Sequence, residues 1–346
     1  MALPDRMKAL VVTESGHADS RQDQSLPSLA PHVALEEIAL PRPGPGQALI
    51  RVHRASVNPS DVAFIKGAYG QPRVKGVPAG FEGVGTVVAG DTPLIGRRVS
   101  FFATHSGTWA EYALTDVATL IPLRPDVGDA DAAGLLVNPM TAVAMFDLVR
   151  QDGADSFIAT AAASQLGKFL MALGRDGGIR PIAVVRRAEQ AEMLRAHGAA
   201  EVLVSTAPDM ARQARDVLGR LGPRILLDAV ADQVSADLFF AMGRGARWVI
   251  YGRLATEPPR LTEPGQFIFL GKRVEGFWLT GWMRETPRAR VEAAIAEVQA
   301  RFADGRWRTD VAAVVPLTEA MEQLPAVYGR GGKVQIDCGG AAAGTE

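Results

Sequence analysis

Ser156-Phe-Ile-Ala-Thr-Ala-Ala-Ala-Ser-Gln-Leu-Gly167 is a short apolar run that ends in a tight, small-residue turn and opens a helical stretch. A strand that delivers the chain to such a turn, with a helix behind it, is the first unit of a doubly wound sheet. The helix then offers free N–H groups and the positive end of its dipole to a pyrophosphate. The G-x-G-x-x-G fingerprint is met only in part, because Gly167 is the one glycine and Ala and Ser hold the earlier small positions. Alone, the turn suits a dinucleotide site or a close strand–helix packing turn that binds nothing.

The flanking pattern favours the doubly wound reading. After the strand Ser156–Thr160, apolar runs at Pro181–Val185, Glu201–Val204, Arg224–Val230, Arg247–Tyr251 and Val274–Leu279 alternate with helical stretches. The helices are expected at Gln165–Leu173, Ala188–His197, Asp209–Leu218 and from Ser235. Strands that alternate with helices in this way form a right-handed, mostly parallel α/β sheet. Upstream, Ala130–Val149 has a helical period; downstream, the helix Arg288–Ala303 and the strand Lys333–Ile336 leave the sheet. The N-terminal part is β-rich, with strands expected at Lys8–Thr13, Gln47–Ala55, Gly80–Ala89, Arg97–Phe102 and Thr108–Leu114, as in a small barrel. Glu14–Pro31 has no period and reads as a long surface loop or mobile insertion, and Gly339–Glu346 as a disordered tail. The expected organisation is a β-rich domain, residues 1–130 completed by 304–346, interrupted by a dinucleotide-type domain at 131–303.

Composition narrows the function classes. The chain has 346 residues, 47% of them hydrophobic, and a net charge of −1, which argues against nucleic acid or an anionic membrane as partner. No run reaches the ~18 apolar residues of a membrane span. The start, Met1-Ala-Leu-Pro-Asp-Arg6, lacks the apolar core of a signal peptide, so a cytoplasmic location is expected. The single cysteine, Cys338, excludes an internal disulfide framework and a thiolate zinc cluster.

The end of the second strand of the sheet points to a cofactor. An NAD site usually places an acidic residue there for the ribose 2′-hydroxyl, whereas Val184-Val-Arg-Arg-Ala188 places Arg186 and Arg187. A guanidinium binds a 2′-phosphate with charge-assisted hydrogen bonds, so NADPH is favoured over NADH. The alternative is a pair of solvated arginines.

Several stretches together resemble the medium-chain dehydrogenase/reductase superfamily: Asn58-Pro-Ser-Asp61, Gly67-Ala-Tyr-Gly70, Gly80-Phe-Glu-Gly-Val-Gly85, Gly107-Thr-Trp-Ala-Glu-Tyr112, Val137-Asn-Pro-Met-Thr141, Tyr251-Gly-Arg-Leu254 and Gly276-Phe-Trp-Leu279. Within it the chain is most similar to the zinc-free, mitochondrial-type 2-enoyl thioester reductases, with quinone oxidoreductases second. The resemblance runs from about Met7 to Cys338 and leaves out Glu14–Pro31. It implies a GroES-like β-barrel-type domain plus a Rossmann domain, and a homodimer paired through the cofactor domain. Zinc enzymes of the superfamily carry Cys, His and Cys where Asn58, Phe81 and Val137 stand, so no metal is expected here.

The resemblance also distributes roles. Tyr69, in the G-x-Y-G loop, would be the proton donor; it is one of only four tyrosines, so its place there is not expected by chance. A turn tyrosine packed over the barrel mouth is the structural alternative. Asn138 would meet the nicotinamide ribose or carboxamide, Ser164, Gln165, Leu166 and Gly167 the pyrophosphate, and Arg186 with Arg187 the 2′-phosphate. Tyr251, Gly252, Arg253 and Leu254, with Phe277, Trp278 and Leu279, would line the nicotinamide side, and Lys333 would close on the cofactor. Phe277 and Trp278 equally suit core aromatics, Glu82 reads as a structural carboxylate, and His53 and His105 have no ligand partners at useful spacing. The function expected is NADPH-dependent reduction of the C=C bond of an enoyl thioester carried on CoA or acyl-carrier protein. A quinone or enone oxidoreductase and a non-catalytic NADPH-binding protein are the alternatives.

Overall fold

The computed structural model describes residues 3–18 and 24–339 and divides the chain into two compact units, Met1–Val137 with Ile295–Glu346, and Asn138–Ala294. The expected disordered tail falls, beyond Gly339, outside the described residues.

The first unit opens with β1 (Arg6–Val12) and β2 (Val33–Ala39), an antiparallel pair. It continues with β3 (Gln47–Val57), α1 (Pro59–Ile65), β4 (Glu82–Gly90), β5 (Arg98–Phe102), β6 (Tyr112–Asp116), β7 (Leu120–Pro122) and α2 (Asp129–Ala132). The second contains α3 (Val137–Asp152), β8 (Ser156–Ala159), α4 (Gln165–Asp176), β9 (Arg180–Val185), α5 (Ala191–His197), β10 (Glu201–Val204) and α6 (Met210–Leu221). Then come β11 (Ile225–Asp228), α7 (Gln233–Ala241), β12 (Arg247–Ile250), α8 (Pro264–Leu270), β13 (Arg273–Gly276), α9 (Leu279–Glu285) and α10 (Arg288–Ala303), whose residues from Ile295 on belong to the first unit. Finally β14 (Val311–Pro316), α11 (Ala320–Val327) and β15 (Lys333–Asp337) return to the first unit.

In the first unit the strand order β14-β15-β3-β4-β5-β7, with β6 also on β3, makes β3 the hub. It buries Ala48, Ile50, Val52 and, beyond an irregularity between Val52 and Arg54, Ala55 in one core with Trp109, Phe101 and Ile336. β15 pairs antiparallel with β3, so strands from both sides of the second unit in the sequence share one sheet. The second unit is a six-stranded sheet, β10-β9-β8-β11-β12-β13, every pair of it parallel. This is the strand order of a dinucleotide-binding fold, with its switch point between β8 and β11. Parallel strands covered on both faces by helices read as continuous apolar runs, and Ile158, Ile182, Leu203, Leu226 and Trp248 are buried in that core.

Three local expectations need correction. The helix expected at Ala130–Val149 is broken after α2, because the Glu82 carboxylate captures the free N–H groups of Leu136 and Val137 and starts α3 afresh. The strand expected at Val274–Leu279 stops at Gly276, and Leu279 is the first residue of α9. The stretch Glu14–Pro31 is not only surface, since Leu26 and Leu29 lie in the core of the first unit at 4% and 0% exposure. Burying such a side chain is worth about 1.5–3 kcal/mol. Its residues 19–23 fall outside the described ones. No helix among the described residues is long and apolar enough to cross a membrane.

Candidate active site

In the first unit the turn Asn58-Pro-Ser-Asp61 starts α1, with Pro59 pre-set for the first helical position. The Asp61 carboxylate accepts from Asn58 N at 2.7 Å and from Phe81 N at 2.8 Å, which fastens this turn to the entry of β4. Glu82, the next residue, accepts from Asn58 Nδ2 at 2.8 Å with one oxygen. With the other it accepts from Leu136 N and Val137 N at 3.0 and 2.8 Å. From β15 the Lys333 ammonium donates to Val57 O at 3.2 Å and to the Asn58 carboxamide oxygen. Two carboxylates and one ammonium thus meet on Asn58, all four residues buried.

Burial sets the electrostatics here. It pushes Asp61 up to about 7, with neighbouring Glu82 adding to the rise, and it raises Glu82 as well. It pulls the Lys333 ammonium down, against the attraction of Glu82 and Asp61. Tyr328 is pushed up by burial and by Asp61. The Tyr69 ring lies on Phe81 at 5.0 Å between centroids and a 41° tilt, and Phe64 meets Phe81 at 5.2 Å. Phe81 therefore connects Asp61, through its backbone, to Tyr69, through its ring.

In the second unit the other expected residues of the sheet gather at the C-terminal ends of its strands. Ser164 caps α4, its hydroxyl accepting from Gly167 N at 3.1 Å. A Cβ at Gly167 would fall 2.3 Å from Ala162 O, so glycine is what lets the helix start this close to the turn. Ala161 in the same turn has φ 47°, a left-handed value that an alanine adopts at a cost of about 1–2 kcal/mol. Asp228, at the end of β11 and 0% exposed, holds this geometry. Its carboxylate accepts from Thr160 Oγ1, from Val230 N at 2.9 Å, from Ala231 N at 3.1 Å, from Ser235 Oγ at 3.0 Å and from Trp248 Nε1 at 2.8 Å. Arg186 and Arg187 follow β9 with exposed side chains; Thr206 Oγ1 donates to Arg186 O at 2.7 Å, and Arg187 pairs with Glu189 at 3.4 Å. Tyr251–Leu254 follow β12, and Phe277, Trp278 and Leu279 follow β13. The Tyr251 hydroxyl is buried with no hydrogen-bond partner among the described residues, and burial beside Asp228 raises its pKa. Asn138 lies in the first turn of α3.

A helix N-terminus at the switch point, a turn held open for close approach and exposed guanidinium groups after the second strand fit a phosphorylated dinucleotide. Comparison with known proteins agrees in outline. The alcohol dehydrogenase GroES-like domain family matches residues 44–125, and the zinc-binding dehydrogenase family matches residues 166–299. The mitochondrial enoyl-[acyl-carrier-protein] reductase of Arabidopsis thaliana is 30% identical over 293 residues, covering 80% of this chain and 73% of its own length. That of Bos taurus is 28% identical over 338 residues, covering 94% and 86%. The crystal structure of a Mesorhizobium loti protein, assigned as an NADPH:quinone reductase, superposes with a TM-score of 0.93 at 50% identity, covering 97% of this chain and 100% of its own. The chain belongs to the medium-chain dehydrogenase/reductase superfamily of oxidoreductases.

Within this superfamily the present site does not fit zinc. Asn58, Phe81 and Val137 supply a carboxamide, a phenyl ring and an isopropyl group where zinc members carry thiolates and an imidazole. The Lys333 ammonium beside Asn58 adds positive charge where a dication would stand. Among the described residues no three His, Cys, Asp or Glu side chains are grouped to hold a metal.

Two residues of the arrangement escape a reading of the sequence. Asp61 is visible only as the last letter of Asn58-Pro-Ser-Asp61, and its contact with Phe81 joins segments far apart in the chain. Asp228 does leave a signal, an acidic residue that ends the apolar run Ile225-Leu-Leu-Asp228.

Proposed function

We propose that the chain reduces the C=C bond of a 2-enoyl thioester, carried on CoA or acyl-carrier protein, with NADPH. The observation that carries this reading is the Tyr69 phenol, an O–H donor seated on Phe81 at a site whose residues do not fit a metal. The mitochondrial enoyl-[acyl-carrier-protein] reductases among its relatives support it.

NADPH, when bound, supplies a hydride to Cβ of the substrate. The electron pair of the C=C bond then moves onto the thioester carbonyl as an enolate. Tyr69 gives its proton to Cα, leaving a saturated thioester and NADP⁺, and regains a proton from solvent. Arg186, with Arg187 beside it, holds the 2′-phosphate; Ser164, Gln165, Leu166 and Gly167 hold the pyrophosphate; Asn138 orients the nicotinamide ribose or carboxamide. Tyr251, Gly252, Arg253 and Leu254, with Phe277, Trp278 and Leu279, shape the nicotinamide side. Lys333 is assigned to the cofactor group by resemblance alone, since its ammonium donates to Asn58 and Val57.

A homodimer through the cofactor-binding unit belongs to the same proposal. β13 is the last strand of its sheet, and Ile268 and Phe269 on α8 beside it are 74% and 72% exposed. Antiparallel pairing of two β13 edges about Val274 would set Arg273 opposite Glu275 of the second copy.

A second reading is a quinone or enone oxidoreductase, favoured by the 50% identical Mesorhizobium loti structure. The deciding experiment is NADPH oxidation by the purified protein with crotonyl-CoA, a long-chain enoyl-CoA and a simple quinone in parallel. Enoyl-CoA turnover well above quinone turnover is expected. The reverse ranking selects the second reading, and tight NADPH binding with no turnover on any acceptor selects a non-catalytic NADPH-binding protein.

A further inference from the structure

The segment that follows β1, which the sequence leaves without a role, is strapped to the loop that carries Tyr69. Beyond the middle of β1 the chain runs against residues 67–78. Val12 N donates to Val77 O at 2.9 Å, Gly76 N to Val12 O at 2.8 Å, and Lys75 N to Ser15 Oγ at 3.0 Å. Gly16 and Arg73 exchange both backbone hydrogen bonds, at 2.9 and 3.2 Å, and Ala18 N donates to Gly67 O at 2.9 Å.

The Arg73 guanidinium locks this arrangement from inside. It is 4% exposed; its Nε donates to Gly16 O at 3.0 Å, and its Nη1 donates to Ile65 O at 3.2 Å and pairs with Glu14 at 3.2 Å. One planar fork therefore joins the strap, the end of α1 and the loop. Gly67 and Arg73 are the two feet of the loop that presents Tyr69, and both rest on residues 16–18. The fit leaves no slack: Gly67 has φ +74°, and a Cβ there would fall 2.6 Å from Ala18 N and 2.8 Å from the Arg73 guanidinium. The far side of the segment is anchored too, through buried Leu26 and Leu29 and through Thr13 Oγ1, which donates to Pro31 O at 2.9 Å.

We propose that Arg73 is a positioning residue for Tyr69: by tying its own foot of the 67–73 loop and the end of α1, two residues before the Gly67 foot, to the strap of residues 14–18, it holds the phenol over Phe81 in the place where it gives its proton. This rests on the reading of Tyr69 as proton donor. The physical case is one of tolerance. A donor displaced by about 1 Å loses up to a hundredfold in rate, and a loop held only by its own backbone does not keep that tolerance.

The test uses the full-length protein with NADPH and crotonyl-CoA, and hydrogen–deuterium exchange over residues 64–74. Arg73→Met is expected to lower kcat about ten- to a hundredfold. KM for crotonyl-CoA and Kd for NADPH should stay within about twofold, because the Arg73 side chain is buried and bonded to Gly16, Ile65 and Glu14. Exchange in the loop should quicken. Introduced into Tyr69→Phe, the same substitution should lower kcat no further, since the group it positions is gone. Arg73→Lys keeps the charge without the fork, and Gly67→Ala opens the strap with Arg73 intact. Both should give the same pattern, and they serve where Arg73→Met does not fold. An equal fall of kcat in the wild-type and Tyr69→Phe backgrounds overturns the proposal, as does an unchanged kcat with a loosened loop. A wild-type rate for Tyr69→Phe alone instead removes the donor reading, and it is measured on a different variant.

Discussion

Lys333 brings its buried ammonium to the carboxamide oxygen of Asn58, and so fastens β15 to the turn ahead of α1. The amide end of the same carboxamide donates to Glu82 at 2.8 Å. Asn58 is thereby a neutral bridge between a cation and an anion, in a position where zinc members of the superfamily place a thiolate. The charge balance of this site rests on a lysine contributed by the last strand.

Removing that cation should be costly. Lys333→Met leaves Glu82 and Asp61 without their buried counter-charge, and breaking a buried pair from one side typically costs about 3–5 kcal/mol. Urea unfolding should show a loss of that order, and adding Glu82→Gln should recover part of it. A Lys333→Met protein as stable as wild type would mean that Lys333 does not compensate these carboxylates.

The raised carboxyl of Asp61 makes stability depend on pH in a direction opposite to that of an ordinary salt-bridged aspartate. Its folded value of about 7 stands above the usual value near 4, so between them the folded protein holds a proton that the unfolded chain has released. Stability is therefore expected to fall as pH rises from about 4 to about 7, with Glu82, also raised, acting in the same sense. In Asp61→Asn the fall of Tm between pH 5 and pH 8 should be shallower. Equal slopes in the two proteins would show that the proton resides elsewhere.

Arg186 governs the choice of cofactor in the proposed function. Arg186→Ala deletes a charge-assisted contact to the 2′-phosphate worth about 1.5–3 kcal/mol, so Kd for NADPH should rise roughly ten- to a hundredfold. NADH binding should hardly change. Equal weakening of both cofactors by titration would assign the arginine to the fold.

Tyr69→Phe keeps the stack on Phe81 and removes the phenolic hydrogen. General acid catalysis contributes about 10²–10⁴-fold, so kcat on crotonyl-CoA should fall by that order with KM little moved. Quinone reduction needs no protonation of carbon, and any such activity should survive better. Unimpaired enoyl reduction would return Tyr69 to a packing role.

Much of the second unit was legible because its signals are local. Glu201–Val204 and Arg288–Ala303 agree with the structure residue for residue, and the other strands of the sheet, apart from the last, are displaced by one or two residues. Apolar runs with caps and turns between them are decided within a few neighbours. The break between α2 and α3 was not legible, because the carboxylate that makes it comes from Glu82, on another strand. β2 and β14 escaped for a related reason: each is recognisable mainly by its partner, β1 for one and β15 for the other.

By itself the sequence determined the class of each unit, the parallel sheet with its small-residue turn, the two arginines after its second strand and the want of metal donors at Asn58, Phe81 and Val137. These follow from residue type and short-range periodicity, which act along the chain. Only the tertiary structure decided that Asp61, through the backbone N–H, and Glu82 and Lys333, through the carboxamide, meet on Asn58, and that Arg73 ties residues 14–16 to the end of α1 beside the Tyr69 loop. Buried charges and polar groups must find partners wherever the fold brings them, and which partner satisfies which group is settled by proximity in space, to which no local pattern in the chain corresponds.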